Sequence, residues 1–230
     1  MASSSWAKTW NNILKEGGPK RWKVDDVAVK DKALKTILEY YRTSEKKSKL
    51  HIFCPLAGDD PFLFNAFGQG HHVTSIDLVP LAVEAMRQQF DDESKWSSKG
   101  EENQNTVFWN HSSGRATLVQ GDALQKRPEW NKKFDAIYDK DSFGALPKEL
   151  RKPFGQRLAQ YATDDAILYI EVKNKPKEQR KDGPPYHLEK EELMEYFAED
   201  FDYVSELGEV YPLESPGMTQ MGHVLKRKKR

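Results

Sequence analysis

One stretch constrains this chain more than any other. Leu50-His-Ile-Phe-Cys-Pro55 is apolar enough for a buried strand, and Leu56-Ala-Gly58-Asp-Asp-Pro-Phe62 turns at once into a helix. A second apolar run, Val73-Thr-Ser-Ile76, ends on Asp77. A strand, a glycine turn, a helix and a second strand closed by a carboxylate make the layout of a nucleotide-type ligand site.

The alternation continues along the chain. Apolar runs predict strands at 50–55, 72–76, 134–138 and 166–172, and helical periodicity predicts helices at 61–67, 80–90, 148–161 and 190–197. Residues 203–211 and 222–227 read as two final strands, antiparallel neighbours of each other. Val107 and Leu118 lie in runs flanking Ser112-Ser-Gly114, which suits a hairpin. The polar stretch 91–104 reads as a mobile loop. Ahead of all this, Trp6, Trp10, Ile13 and Leu14 form one helix face, Gly17-Gly-Pro19 breaks it, and a second helix is predicted over 26–42. The expected fold is α/β. It is a single Rossmann-like, doubly wound sheet, mostly parallel with an antiparallel C-terminal strand, plus an N-terminal helical lid over residues 1–45. Residues 1–230 are expected to form one domain.

Lys plus Arg and Asp plus Glu both number 36, so no global field steers the chain toward nucleic acid or a membrane. The basic run Lys226-Arg-Lys-Lys-Arg230 reads as a solvated strand end. Mean hydropathy is −0.82, and no run approaches the ~18 apolar residues of a membrane span. Cys54 is the single cysteine, so no internal disulfide forms, and a cytoplasmic monomer is expected. His51, His71, His72, His111, His187 and His223 show no ligand spacing with Cys54, so no metal is expected.

The first turn is informative by what it lacks. A dinucleotide fingerprint needs three glycines so that pyrophosphate can sit on the helix N-terminus. Here Gly58 is followed by Asp59 and Asp60. Two carboxylates at a helix start repel phosphate and suit a cationic ligand. S-adenosyl-L-methionine carries an ammonium and a sulfonium and no phosphate. Asp77 can accept both ribose hydroxyls, or cap the helix that follows. In Gly121-Asp122-Ala123, Asp122 can accept from an adenine amino group while Ala123 leaves room for the ring. Tyr138-Asp139-Lys140-Asp141 ends the fourth strand and places three charges at the same sheet edge. Trp6, Trp10 and Trp22 can cover the ligand or simply pack, and indole faces suit a sulfonium. Gly183-Pro-Pro-Tyr186 reads as a stiff pocket wall or a proline-stiffened turn.

These motifs together resemble the thiopurine S-methyltransferases and the related thiol/halide methyltransferases. Trp6-x-x-x-Trp10 resembles the family's paired N-terminal tryptophans, and Trp22 a third aromatic that reaches the pocket. Phe53-Cys-Pro-Leu-Ala-Gly58 is similar to the family's P-L/G-C-G turn, with Ala57 where cysteine is usual. His71-His-Val-Thr-Ser-Ile-Asp77, Gly121-Asp122, Phe134-Asp-Ala-Ile-Tyr-Asp139-Lys140 and Gly183-Pro-Pro-Tyr186 follow in the family's order. Lys140 stands where the thiopurine enzymes carry arginine, and 214–221 lacks the arginine they place there.

The resemblance implies S-adenosyl-L-methionine as cofactor and S-adenosyl-L-homocysteine as product. The cofactor residues are then Trp6, Trp10, Leu56, Gly58, Asp77, Leu78, Gly121, Asp122, Ala123 and Tyr138. The acceptor would meet Trp22, Asp25, Lys140 and Tyr186, with Lys140 and Asp139 catalytic. The expected acceptor is a small thiol, thiopurine-like molecule or halide. Two other readings stay open: a non-catalytic cofactor-binding protein on the same scaffold, and an N-methyltransferase of a small heterocycle.

Overall fold

The computed structural model describes the chain except residues 1, 18–23, 42–46, 91, 102–104, 214–215 and 230, and the side chains of 2–7 and 101. Two helices come first, α1 (Ala2–Lys15) and α2 (Val27–Tyr40). Asp26 starts α2 by accepting from the Ala28 N–H at 2.8 Å, and the helix buries Lys30, Ala33, Leu34 and Ile37 on one face. Then follow β1 (His51–Pro55), α3 (Phe62–Gly68), β2 (His72–Asp77) and α4 (Pro80–Gln88). Next come β3 (Trp96–Glu101), β4 (Thr106–His111), β5 (Ala116–Gln120), β6 (Phe134–Lys140), α5 (Ser142–Ala145) and α6 (Lys148–Tyr161). The chain continues through β7 (Ala162–Asn174), α7 (Lys190–Phe197), β8 (Phe201–Pro212) and β9 (Thr219–Arg227).

The strands form one nine-stranded sheet in the order β3-β4-β5-β2-β1-β6-β7-β9-β8. The five strands from β5 to β7 run parallel, and β9 lies antiparallel to both β7 and β8. Alternate residues of each strand feed opposite faces. Ile52 and Cys54 pack with α2, α3 and α4, while Phe53 packs with α6 residues such as Phe154 and Leu158. Both faces are therefore covered, which is why the central strands read as continuous apolar runs.

The expectation of a mobile loop over 91–104 is corrected. Residues 96–101 form β3, paired antiparallel with β4, and a single 3-10 turn at 93–95 leads into it. Trp96 anchors this edge strand against Phe90 and His111. Residues 97–100 are exposed and carry no apolar side chain, which hid the strand from any hydrophobic pattern. The basic end of β9 is ion-paired: Lys226 and Lys229 with Asp165, Arg227 with Asp200, Lys228 with Asp202. No helix among the described residues is long and apolar enough to cross a membrane.

Candidate active site

Three turns meet at the carboxyl edge of the sheet, and Asp77 ties them together. Its Oδ2 accepts from the Gly58 N–H at 3.1 Å and its Oδ1 from the Val79 N–H at 2.9 Å. Its backbone carbonyl accepts from the Gly121 N–H at 2.9 Å. Asp77 does not cap α4, whose N-cap is Val79. Burial pushes the Asp77 carboxyl up to about 6, against the backbone N–H groups of Val79, Gly58 and Leu78 that favour its charge. A buried carboxylate held at the end of the second parallel strand is the group a ribose diol requires, so the residues present fit an adenosyl ligand.

The first turn takes the shape that approach to a ligand needs. Leu56 has φ 42° and Gly58 φ 59°, both left-handed. A Cβ on Gly58 would lie 2.9 Å from Cζ2 of Trp10, so the missing side chain is what lets the indole rest on the turn. α1, which carries Trp10, packs on α4. Leu78 is solvent-exposed beside Asp77, and Ala123 is half-buried. Asp122 is exposed, and its Oδ1 accepts from the Leu124 N–H at 2.8 Å. Trp22 lies outside the described residues, as does the side chain of Trp6. Asp25 is exposed just ahead of α2. Tyr186 donates its N–H to the Gly144 carbonyl at 2.7 Å, and its ring lies under the Arg151 guanidinium.

The paired aspartates of the first turn play different parts than their spacing suggested. Asp60 accepts from the Phe62 N–H at 2.8 Å and holds the start of α3. Its other oxygen is 2.7 Å from Nζ of Lys30, which is fully buried. That pair neutralises Asp60, so the repulsion of phosphate expected from two carboxylates is weakened. Sequence reasoning missed Lys30 because it reads as the outer edge of an amphipathic helix. The signal was present, since Lys30 lies on the Ala33–Leu34–Ile37 face.

At the end of β6 the structure gathers Tyr138, Lys140 and Asp141. Tyr138 is buried, stacked on Phe62 with ring centroids 3.7 Å apart, and its hydroxyl accepts from Lys30 at 3.4 Å. A recess opens here, lined by Pro55, Ala57, Asp60, Phe62, Tyr138 and Lys140 among others. Nζ of Lys140 stands 4.0 Å from Asp60 and 3.8 Å from Asp141. Burial pulls its pKa down, but Asp141, Asp60, Glu171 and Asp59 outweigh that and raise it. Asp139 is wholly buried behind this group. Its Oδ1 accepts from the Phe143 N–H at 3.2 Å, its Oδ2 has no hydrogen-bond partner, and burial pushes it up to about 7.

The partners that Asp141 and Lys140 find on β7 and β9 were not anticipated. Asp141, in a left-handed conformation at φ 61°, is held by Lys173 at 3.0 Å and by Nε2 of Gln220 at 3.1 Å. Lys173 also donates to the Gln220 side-chain oxygen. Glu171 lies beside Lys140 in the β6–β7 register and accepts from the Tyr211 hydroxyl at 2.9 Å. Glu171 interrupts the apolar run 166–172 within β7 and Lys173 follows it, and that interruption was the available clue. Among the described residues, no group of three or more His, Cys, Asp or Glu is arranged to hold a metal ion.

The model of the thiopurine S-methyltransferase family matches residues 13–227. A thiopurine S-methyltransferase of Acinetobacter baylyi is 25% identical over 166 residues, 72% of this chain and 75% of its own length. Among solved structures, the 1,6-didemethyltoxoflavin-N1-methyltransferase of Burkholderia thailandensis, with its substrate and S-adenosylhomocysteine bound, matches with TM-score 0.70. It is 16% identical, over 99% of this chain and 89% of the other. The [4+2]-cyclase SpnF matches with TM-score 0.66 at 12% identity, over 97% of this chain and 95% of the other, so the fold alone does not decide chemistry. The chain belongs to the thiopurine S-methyltransferase family and is an S-adenosyl-L-methionine-dependent methyltransferase.

Proposed function

We propose that the protein methylates a small soft nucleophile: a thiol, a thiopurine-like molecule or a halide. The observation that carries this reading is Lys140, a mostly buried ammonium lining the recess beside the cofactor turn. A cation there stabilises an anionic nucleophile, and a thiol with pKa near ~8.5 is partly thiolate at neutral pH. Asp77 would hold the ribose, Leu78 and Ala123 would flank the adenine with Asp122 at its amino group, and Leu56, Gly58 and Tyr138 would line the floor. Trp6 and Trp10 would exclude water from above; Trp22, Asp25 and Tyr186 would border the acceptor. S-adenosyl-L-methionine, when bound, would supply an electrophilic methyl for the nucleophile to take. The protein's own contribution is mainly proximity and orientation.

A second reading follows from Asp139. A buried carboxyl near 7 with an unpartnered oxygen suits removal of a proton from a neutral N–H or S–H acceptor. A halide needs no such base, so the two readings separate by acceptor. We place the enzyme in the cytoplasm as a monomer acting on a small molecule, without nucleic-acid or membrane partners. Support comes from the balanced charge and the buried, unbridged Cys54. Labelled S-adenosyl-L-methionine incubated with thiols, halides, thiopurines and pyridines tests the reading. Transfer to thiols or halides is expected. Thiol transfer that is lost in Asp139→Asn while halide transfer persists favours the second reading, and cofactor binding without transfer to any acceptor leaves a binding protein.

A further inference from the structure

The turn that carries Tyr186 leaves the sheet at the end of β7 and returns to it just before α7. Three contacts fix Tyr186 itself. Its N–H bonds the Gly144 carbonyl at 2.7 Å, on the β6 side of the site. Its ring lies against Gly183, where a Cβ would come within 2.4 Å of Cδ1. The Arg151 guanidinium covers the ring 5.4 Å from its centre. The next residue closes the turn. His187 is buried, and its Nδ1 accepts from the Lys175 N–H at 3.0 Å. That donor leaves the ring proton on Nε2, which donates to Glu189 at 3.1 Å. The Leu188 N–H then bonds the Lys173 carbonyl at 3.1 Å. One imidazole therefore ties the returning arm of the turn to the residue where the other arm leaves β7. The remaining ties in this region are long side chains. Nζ of Lys175 bonds the Asp182 carbonyl at 2.9 Å, and the exposed Arg180 reaches Glu189 at 2.9 Å.

We propose that His187 is a positioning residue for the methyl acceptor: by accepting the Lys175 N–H it holds Tyr186 in place as a wall of the acceptor site. This inference rests on the placement of the acceptor against Tyr186. A buried backbone N–H left without an acceptor is expensive. Without Nδ1 the two arms must part until water reaches the Lys175 N–H, and Tyr186, one residue away, moves with them. The turns at 56–58, 77–79 and 121–123 hang from other strands and stay where they are. Loss of His187 should therefore fall on the acceptor and spare the cofactor. Glu189 keeps Arg180 and its capping box with Glu192, so α7 still starts in the same place.

The test compares three substitutions at 187. His187→Leu removes both bonds, His187→Gln keeps a donor for Glu189, and His187→Asn keeps an oxygen near the place of Nδ1. Kinetics are read with thiophenol, or with iodide if the wild type methylates halides only, and S-adenosyl-L-homocysteine affinity is read by calorimetry. The Leu and Gln substitutions should raise acceptor KM about fivefold or more, with a smaller change in kcat. His187→Asn should stay within about twofold of wild type, and product affinity should stay within about twofold in all three. Tyr186→Ala should raise acceptor KM by itself, and adding His187→Gln to it should cost less than about twofold more, because the histidine acts through the tyrosine. If either His187→Leu or His187→Gln fails to fold, the other decides; failure of both overturns the proposal by making His187 a residue of the core. An Asn variant as impaired as the Leu variant overturns it, as does a parallel loss of product affinity. Indifferent His187 variants beside an impaired Tyr186→Ala remove only the role of the histidine. An unchanged KM in Tyr186→Ala, or a wild type that methylates neither thiol nor halide, removes the acceptor placement itself and the proposal with it.

Discussion

Single residues here do work that their position in the fold makes unavoidable. Asp77 bonds the backbone of two turns and still offers lone pairs, so Asp77→Asn should fold while weakening S-adenosyl-L-homocysteine binding at least about tenfold, since charge-assisted bonds are the stronger ones. Calorimetry on the variant checks this, and an unchanged affinity would remove the ribose from Asp77. Because this carboxyl sits near 6, wild-type affinity should also fall as pH drops through that value. Asp139 carries a stability consequence. Its pKa rises from 3.8 in the unfolded chain to about 7 in the fold. A raised carboxyl contributes stability that is complete below 3.8 and lost as pH climbs through about 7. Asp139→Asn keeps an acceptor for the Phe143 N–H and avoids burying a charge. It should therefore melt higher than wild type at pH ~8, by roughly 1–3 kcal/mol, with the gain shrinking toward pH ~4. Melting curves across that range decide it, and a gain that persists in acid would count against the assignment.

Elements differ in how plainly the sequence announces them. α6 and α7 were predicted with their observed ends because their apolar spacing is local and strong. β3 was missed because a polar edge strand buries little beyond Trp96, and its pairing with β4 is the only thing that defines it. α6 also contains Pro153, which removes one helical N–H and crowds the carbonyl of Glu149. The helix persists because Phe154, Leu158 and Tyr161 are buried in the core on one face of the sheet. Pro153 is exposed, so Pro153→Ala should cost no packing and raise stability by about 1–2 kcal/mol. Chemical denaturation with an unchanged slope would bear this out, and a loss of stability would show that the proline restrains the unfolded chain more than it strains the helix.

For the whole molecule, the two cores lie on opposite faces of one sheet and share its strands. Neither can be lost without exposing the other, so a single calorimetric transition is expected. A ligand bound only by the folded state should move that transition as one. S-adenosyl-L-homocysteine at about 100 times its Kd should add about 2.7 kcal/mol, while NAD adds nothing; two separate transitions, or a shift with NAD, would contradict this. The sequence by itself determined the strand–turn–helix at 50–62, the carboxylate at Asp77 and the alternation that builds the sheet, since each depends on neighbours within a few residues. Tertiary structure alone decided the charge of the site. Asp60 meets Lys30 across 30 positions and Gln220 meets Asp141 across 79, and no local pattern encodes pairs that exist only because α2, β7 and β9 converge on one edge. The paired aspartates that first pointed away from phosphate are thereby split. One is neutralised by a buried lysine, and Lys140, ion-paired with the same Asp60, lines the recess beside it.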